Sequence, residues 1–142
     1  MSTDSPQEQS SLTAEDWDAD RVRAADRRTA TTGRTMCTTA ARHLASGELV
    51  GLTVLAVNRA VPEVAYQWDT IVLGGHRGHG LGLAMKRASL ARFVAHSPGT
   101  RVIHTWNARV NRHMIAINDA LGFQHTAQDR AFELSLPTGY TV

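Results

Sequence analysis

Between Asp69 and Lys86, a β-branched run leads into a loop that holds five glycines, and the loop opens directly onto an amphipathic stretch. Glycine has no Cβ, so main-chain N–H groups in such a loop can approach an anion closely. The N-terminus of a helix adds unpaired N–H donors and a partial positive charge. The order of strand, glycine loop and helix therefore predicts a binding site for a phosphate-bearing ligand.

Two common nucleotide-binding motifs do not fit this loop. The dinucleotide motif Gly-x-Gly-x-x-Gly would need a third glycine where Met85 stands. A Walker loop would need Gly-Lys-Ser/Thr, whereas Gly80 is followed by Leu81 and Gly82. Two alternatives remain at this point, which are another kind of anion-binding loop and a glycine-rich turn without a ligand.

Other residue types that often do chemistry show no pattern of a site. The single cysteine, Cys37, excludes an internal disulfide and a cysteine-rich zinc site. The histidines lack the spacing of metal ligands, and a net charge of +2 is too small to favour nucleic acid. We therefore expect no metal and no nucleic-acid partner. The histidines considered are His76, His79, His104, His113 and His125.

The length of 142 residues and the 42% hydrophobic content fit one globular domain. Residues 1–11 are polar and predicted to be a disordered tail, so the domain is expected over 12–142. No apolar run approaches the ~20 residues that span a bilayer, and the N-terminus has no signal-peptide core. We expect a cytoplasmic protein that does not enter a membrane.

The elements that must position the loop follow from turns and periodicity. Thr13 is a candidate N-cap for a helix over 14–31. Residues 35–44, 48–57 and 64–72 then predict three antiparallel strands, the third of which enters the glycine loop.

A strand–helix–strand unit follows the loop. Apolar residues at helical spacing predict a helix over 81–96, and 101–106 predicts a strand parallel to the third one. A second helix is predicted over 111–121, with final strands over 123–126 and 131–136. The apolar face of the first of these helices is predicted from Leu81, Ala84, Met85, Ala88, Ala91 and Ala95.

Two segments of the chain resemble the GNAT superfamily of N-acyltransferases. The run from Arg77 to Gly82 has the pattern Arg-x-x-Gly-x-Gly, which is similar to the acyl-CoA pyrophosphate loop of that family. The segment from Asn107 to Phe123 resembles its last signature, in which an Asn, here Asn111, opens a helix that Leu-Gly-Phe closes. The resemblance covers roughly 35–136. It is closest to the C-terminal lobe of actinobacterial tandem GNAT proteins, around Gln67–Thr70, His76–His79 and Thr105–Asn107.

The resemblance implies an α/β fold with a mixed, centrally splayed sheet that is flanked by helices. A complete family domain opens with a strand and a helix before the helix predicted over 14–31, where this sequence has only a polar tail. We therefore expect the first strand to be lacking, to come from another chain, or to mark a half-length relative of two-lobed proteins. A homodimer or pairing with another GNAT lobe is a corresponding expectation.

The resemblance also implies an N-acetyltransferase in which an amine attacks acetyl-CoA, the cosubstrate, directly. The acceptor is expected to be a small-molecule or peptide amine, and Trp68 and Trp106 either line its pocket or belong to the core. Strand main-chain groups would pair with pantetheine, the loop would hold the pyrophosphate, and a backbone N–H near Val72 would stabilise the oxyanion. The implied CoA-binding residues are Val72, Leu73, Gly74, Arg77, Gly78, His79, Gly80, Leu81, Gly82 and Asn111.

Proton transfer is the point where the sequence departs from the family. Asn118 stands where the family commonly has a tyrosine that protonates the leaving thiolate, and an amide can only hydrogen-bond a thiolate. Asp69 and Glu48, with His104 as a third, are candidate general bases. The catalytic candidates are thus Asp69, Asn118 and Glu48. The alternative function is a catalytically degenerate CoA-binding or interaction lobe of a two-lobed acetyltransferase.

Overall fold

The computed structural model describes residues 31–130, together with residues 29 and 132. The predicted tail over 1–11 lies outside the described residues. So does the predicted helix over 14–31, except that residues 29 and 31 are described and both are helical.

A four-stranded mixed sheet and two helices make up the described part of the chain. The strands are arranged in sequence order; the first three are antiparallel, and the fourth is parallel to the third. The predicted meander and strand–helix–strand unit are confirmed, as is the mixed α/β sheet. The elements are β1 (Arg34–Arg42), β2 (Leu49–Asn58), β3 (Val61–Val72), α1 (Leu81–His96), β4 (Val102–His104) and α2 (Arg112–Ala120).

Strand β2 lies between β1 and β3 and supplies much of the core. Its consecutive residues from Val54 to Val57 are all buried, as expected of a strand that is covered on both faces. Leu55 and Val57 pack with Ala65 of β3 and Phe93 of α1, so α1 covers this face of the sheet. Gly47, with a φ of 75°, forms the turn between β1 and β2.

The sheet splays at its centre because β3 and β4 pair only over a short stretch. Their register runs from Val64 opposite Val102 to Tyr66 opposite His104, while β3 continues to Val72. Beyond the last pair, the Thr105 hydroxyl donates to the Gln67 carbonyl oxygen at 3.2 Å. The predicted central splay is therefore present between β3 and the segment after β4.

A β-bulge in β3 lies at the start of the splay. Thr53 of β2 pairs with Thr70, but Leu55 pairs with Gln67, so β3 carries one extra residue opposite Val54. A bulge bends a strand and disturbs the main-chain ladder. The Gln67 amide compensates by donating to the Val54 carbonyl oxygen at 2.7 Å and to the Thr53 hydroxyl at 3.0 Å.

The predicted bounds of α1 are confirmed, but its predicted buried face is wrong. Ala84, Ala88, Ala91 and Ala95 are exposed, and of the predicted stripe only Met85 is fully buried. Alanines are spread around this helix and are too small to decide which side packs. The buried residues are Gly82, Met85, Lys86, Ser89 and Phe93.

The last three predicted strands are shorter than predicted, absent, or outside the described residues. The strand predicted over 101–106 is shorter, at Val102–His104, because β3 and the chain after His104 diverge. The strand predicted over 123–126 is wrong: residues 123–130 pair with no strand among the described residues. The strand predicted over 131–136 lies outside the described residues, except for the exposed Phe132.

We predict that Gly51→Ala destabilises the fold through α1. A Cβ at Gly51 would lie 2.8 Å from Met85 Cε and 3.1 Å from the Ile71 carbonyl oxygen. The end of the Met85 side chain can move aside, whereas the Ile71 carbonyl oxygen is backbone, so we expect the lower end of the about 1–3 kcal/mol that overpacking costs. The measurement is the free energy of unfolding of single and double variants, because the penalty should shrink when Met85→Ala removes the nearer neighbour.

Gly99→Ala is the matched control, since a Cβ at Gly99 meets no atom within 4 Å. It should change the unfolding free energy by less than about 0.5 kcal/mol. An unchanged stability for Gly51→Ala would contradict the close approach of α1 to the sheet.

Candidate functional site

The glycine loop connects the end of β3 to the start of α1. A single 3₁₀ turn, Gly74–His76, follows the strand, and Gly78 and Gly80 adopt φ values of 79° and 72°. A Cβ at either of these glycines would meet nothing within 4 Å, so the space beside the loop is open. The loop therefore turns through backbone conformations that suit glycine and leaves its outer side accessible.

Helix α1 begins at Leu81 without a side-chain cap. Gly80 is the N-cap residue, no side chain bonds to the first turn, and that turn carries no acidic residue. The first intrahelical bond runs from the Ala84 N–H to the Gly80 carbonyl oxygen at 3.0 Å. The N–H groups of the first turn therefore remain available to an anion.

The main-chain groups at the end of β3 are divided between the fold and the splay. The Leu73 N–H donates to the Val50 carbonyl oxygen at 2.9 Å, so it belongs to the ladder with β2. Since antiparallel pairs alternate, the N–H and C=O of Val72 point away from β2, towards the splay. Arg77 Nε donates to the Val72 carbonyl oxygen at 3.0 Å, and the Arg77 N–H donates to the Gly74 carbonyl oxygen at 3.3 Å.

The remaining loop residues have distinct positions. His79 is exposed, with Nδ1 3.3 Å from the His76 carbonyl oxygen. Gly82 is buried, and a Cβ there would lie 3.1 Å from Ile117 Cδ1 of α2. This glycine therefore permits the close approach of α1 and α2.

A polar cavity of about 120 Å³ lies in the splay. Asp69 from the bulge of β3 and Asn111 from the start of α2 both line it, so the structure brings these two predicted residues together. A larger cavity, about 340 Å³, lies at the other end of the sheet, beside Thr35 and the turn after α1. The splay cavity is lined by Trp68, Asp69, Thr70, Lys86, Thr105, Trp106, Asn107, Ala108, Asn111 and Met114.

Asn111 opens α2 as the sequence predicts. Its side-chain oxygen accepts a hydrogen bond from the Met114 N–H at 3.2 Å, which is the geometry of an N-cap. The same residue faces the cavity, so capping fixes part of the cavity wall.

Lys86 is the most unusual residue of the site. It lies on the second turn of α1, is 1% exposed, and its ammonium donates a hydrogen bond to Asn118 Oδ1 of α2. Its Nζ also lies 5.5 Å from the centre of the Phe123 ring. Within residues 31–130 it has no carboxylate partner. Burial lowers the pKa of Lys86 from 10.5 to about 8.

The two other predicted bases lie outside the cavity lining. Glu48 is exposed at the hairpin between β1 and β2. His104 packs near the rings of Tyr66 and Trp106, at centroid distances of 6.1 and 6.0 Å. Of the predicted bases, Asp69 alone lines the cavity.

Lys86 is not among the site residues that the sequence predicts. The residue falls on the stripe that includes Met85, Ser89 and Phe93, and it is the single lysine of the chain. A lone charged residue at a buried helix position was the available signal. The alanines of α1 favour a different buried face, so this signal does not lead to a prediction from the sequence.

The part of the chain that the structure describes has neither a metal-ligating group nor a membrane-spanning helix. No group of three or more His, Cys, Asp or Glu residues there could hold a metal ion. No helix in the same part of the chain has the length and apolar character to cross a membrane.

No protein-family model and no curated protein sequence matches the chain. Among solved structures, it is similar to a tandem GNAT protein from the clavulanic acid biosynthesis pathway, solved without AcCoA. The identity is 38% over 74% of this chain and 32% of that chain, with a TM-score of 0.71. This chain therefore spans about a third of the length of that protein.

More distant structures show the same fold. One is glucosamine-6-phosphate N-acetyltransferase from Arabidopsis thaliana, with 13% identity over 87% of this chain and 83% of that chain and a TM-score of 0.62. Another is AAC(6')-Iy in complex with the bisubstrate analog CoA-S-monomethyl-acetylneamine, with 16% identity over 84% and 82% and a TM-score of 0.61.

We predict that the lysine side chain titrates far below its usual range. Because Lys86 is the only lysine, isotope-labelled lysine gives one side-chain signal in an NMR titration. The pKa should be about 8. A value near the ordinary ~10.4 would contradict the burial of the ammonium.

The same pKa sets the sign of a stability effect. The unfolded chain binds the Lys86 proton more tightly than the folded protein does. The free energy of unfolding of the wild type, relative to that of Lys86→Met, should therefore rise between pH 8 and 10.5. The pKa difference corresponds to at most ~3 kcal/mol. Chemical denaturation of both proteins at each pH measures the difference, and parallel curves would contradict it.

Proposed function

Because this chain belongs to the GNAT superfamily of N-acyltransferases, we propose that it transfers an acetyl group from acetyl-CoA to an amine. The observation that carries the proposal is the uncapped start of α1, which follows two open, positive-φ glycines beside a splayed sheet. These features together form a binding surface for a phosphate followed by a gap for the acyl arm.

The residues of the loop fit the pyrophosphate. The N–H groups of Leu81, Gly82 and Leu83 have no intrahelical acceptor in the first turn, so they can donate to phosphate oxygens. Open space at Gly78 and Gly80 lets the phosphates approach the backbone. Arg77 Nε donates to the Val72 carbonyl oxygen, which holds the positive charge of the guanidinium beside the loop.

The splay fits the pantetheine arm. Val72 directs its N–H into the gap, where an extended ligand can approach it as an added strand does. Its carbonyl oxygen already accepts from Arg77 Nε. Asn111 lines the cavity in the splay. Leu73 and Gly74 shape the exit from the strand, since the Leu73 N–H is already bonded to Val50.

Bound acetyl-CoA supplies a thioester carbonyl that an amine attacks directly, without a covalent enzyme intermediate. The Val72 N–H stabilises the negative charge on the carbonyl oxygen. Asp69 accepts the amine proton, directly or through water, because it is the predicted base that lines the cavity. Trp68 and Trp106 border the same space, where they contact a small-molecule or peptide amine.

A second candidate is a CoA-binding lobe without turnover. The Asn118 side-chain oxygen is occupied by Lys86, and the chain spans a third of a tandem relative. Such a lobe would act through pairing with another GNAT lobe or with a second copy of this chain. The free edge of β1 within the described sheet suits such pairing.

We predict that Gly80→Ala weakens CoA binding by about tenfold or more. The added Cβ would occupy the space beside the loop and hold the phosphates away from the N–H donors, and a tenfold loss is about 1.4 kcal/mol. Isothermal titration with CoA measures the affinity.

Gly33→Ala is the matched control. Gly33 has a φ of 70°, close to that of Gly80, and lies at the far end of β1. Both variants carry the cost of a left-handed alanine, about 1–2 kcal/mol of stability. Equal CoA affinity for the two folded variants would remove the loop from the binding site.

We also predict release of the CoA thiol when acetyl-CoA and amines are incubated with the protein. A thiol-detecting assay over a panel of aminoglycosides, polyamines and peptide amines measures it, with Asp69→Asn as the variant of reduced rate. Tight CoA binding with no release across the panel would favour the non-catalytic lobe instead.

A further inference from the structure

A buried lysine lines the cavity where the proposed reaction would occur. Lys86 is 1% exposed, and it contributes to the cavity between β3 and the segment after β4. Asn118, which is 5% exposed, fixes the ammonium by accepting a hydrogen bond from Nζ. The Phe123 ring, 5.5 Å from Nζ, closes another side.

This arrangement leaves the positive charge without a counter-ion among the described residues. One neutral amide oxygen accepts from Nζ, although an ammonium has three protons to donate. Removing a charge from water is costly unless an opposite charge compensates for it. A cation in this position favours negative charge in the adjoining cavity.

The proposed reaction generates negative charge at one atom near this wall. When the acetyl group leaves CoA, the electron pair of the carbon–sulfur bond goes to sulfur. Asn118 cannot protonate the sulfur, because its amide has no proton to give at neutral pH. Lys86 Nζ, hydrogen-bonded to Asn118, carries protons that it can give.

We propose that Lys86 is the general acid of the reaction, donating a proton from Nζ to the departing CoA sulfur, and that Asn118 is the positioning residue that holds it. This inference rests on the proposed acetyl transfer and assigns one more step of it. Lys86 donates as the carbon–sulfur bond breaks and the carbon–nitrogen bond is in place. The proton lost by the acceptor nitrogen returns through Asp69 or water, so Lys86 is recharged and no proton is gained or lost overall.

The charges around Nζ are consistent with this role. Asp69 on β3 is the other titratable group that lines the cavity within the described residues, and the proposed reaction uses it as the base for the amine. From α2 the contact is the neutral Asn118, and from the segment after α2 it is Phe123. The pKa of Lys86, about 8, is close to the ~8.5 of a thiol, so proton transfer between them is nearly balanced.

The test uses CoA itself and needs no acceptor amine. A cation within about 4–6 Å of a thiol lowers its pKa by about 1–3. The thiolate absorbance of bound CoA, followed against pH, should therefore show a thiol pKa at least one unit lower in the wild type than in Lys86→Met. CoA affinity at pH 6, where the thiol is protonated, should change by less than about threefold, because the loop holds the phosphates.

Three further variants define the result. Lys86→Arg keeps the charge and should keep most of the lowered thiol pKa. Asn118→Asp keeps the lysine but places a carboxylate beside its ammonium, so that the two charges compensate each other. This variant serves as the second probe if Lys86→Met does not fold. Arg87→Met removes an adjacent, exposed positive charge of α1 and should behave as the wild type.

Three outcomes of the CoA titration are distinguishable. A lowered thiol pKa that is lost in Lys86→Met and Asn118→Asp supports the assignment. CoA that binds with the same thiol pKa in the wild type and Lys86→Met overturns it and leaves the proposed function standing. CoA that does not bind overturns the proposed function and this inference together.

Turnover separates a proton donor from a fixed charge. With an accepted amine, Lys86→Met should lower kcat by about 100-fold, as expected for loss of a general acid. Lys86→Arg should also be slow, since a guanidinium does not give up its proton in this pH range. An Arg variant as fast as the wild type would assign Lys86 to electrostatic stabilisation alone and overturn its role as acid.

Discussion

The separation of β3 from β4 is the constraint on which the rest of the structure depends. Two parallel strands normally continue their ladder, but here the pairing stops after Tyr66 and His104. The bulge in β3 redirects the strand, and the Gln67 amide satisfies the carbonyl of Val54 that the bulge would leave unpaired. The resulting gap exposes the main-chain groups of Val72, leads to the glycine loop, and contains the cavity. Without the splay, the loop would be an anion site with no space beside it for an acyl arm.

The close packing of α1 against the sheet and α2 determines where Lys86 lies. Gly51 and Gly82 bring α1 close to the sheet and to α2. That proximity carries Lys86 into the interior, where Asn118 is its hydrogen-bond partner and burial lowers its pKa. A fold selected only for stability would place an apolar residue here, since replacing buried charges by apolar groups is often neutral or favourable. The buried ammonium therefore favours the proposal that Lys86 belongs to the site.

Local sequence patterns predicted most of the fold. The β-branched runs, the turn at Gly47 and the helix signals around Gly80 and Asn111 depend on neighbours in sequence. They located all six elements of the described sheet and helices to within a few residues. The buried face of α1 depends instead on which side fits between the sheet and α2, and its alanines carried no information about that. The strand predicted over 123–126 fails for a related reason, because a strand forms only where a partner strand is available. The Lys86–Asn118 contact joins residues 32 positions apart, so no local pattern could show it.

A crystal structure of the protein with CoA would test the central claim most directly. The account predicts the pyrophosphate on the N–H groups at the start of α1, pantetheine in the splay beside Val72, and the sulfur within about 3.5 Å of Lys86 Nζ. CoA bound outside the splay, or bound in it with the sulfur turned away from Lys86, would contradict the account.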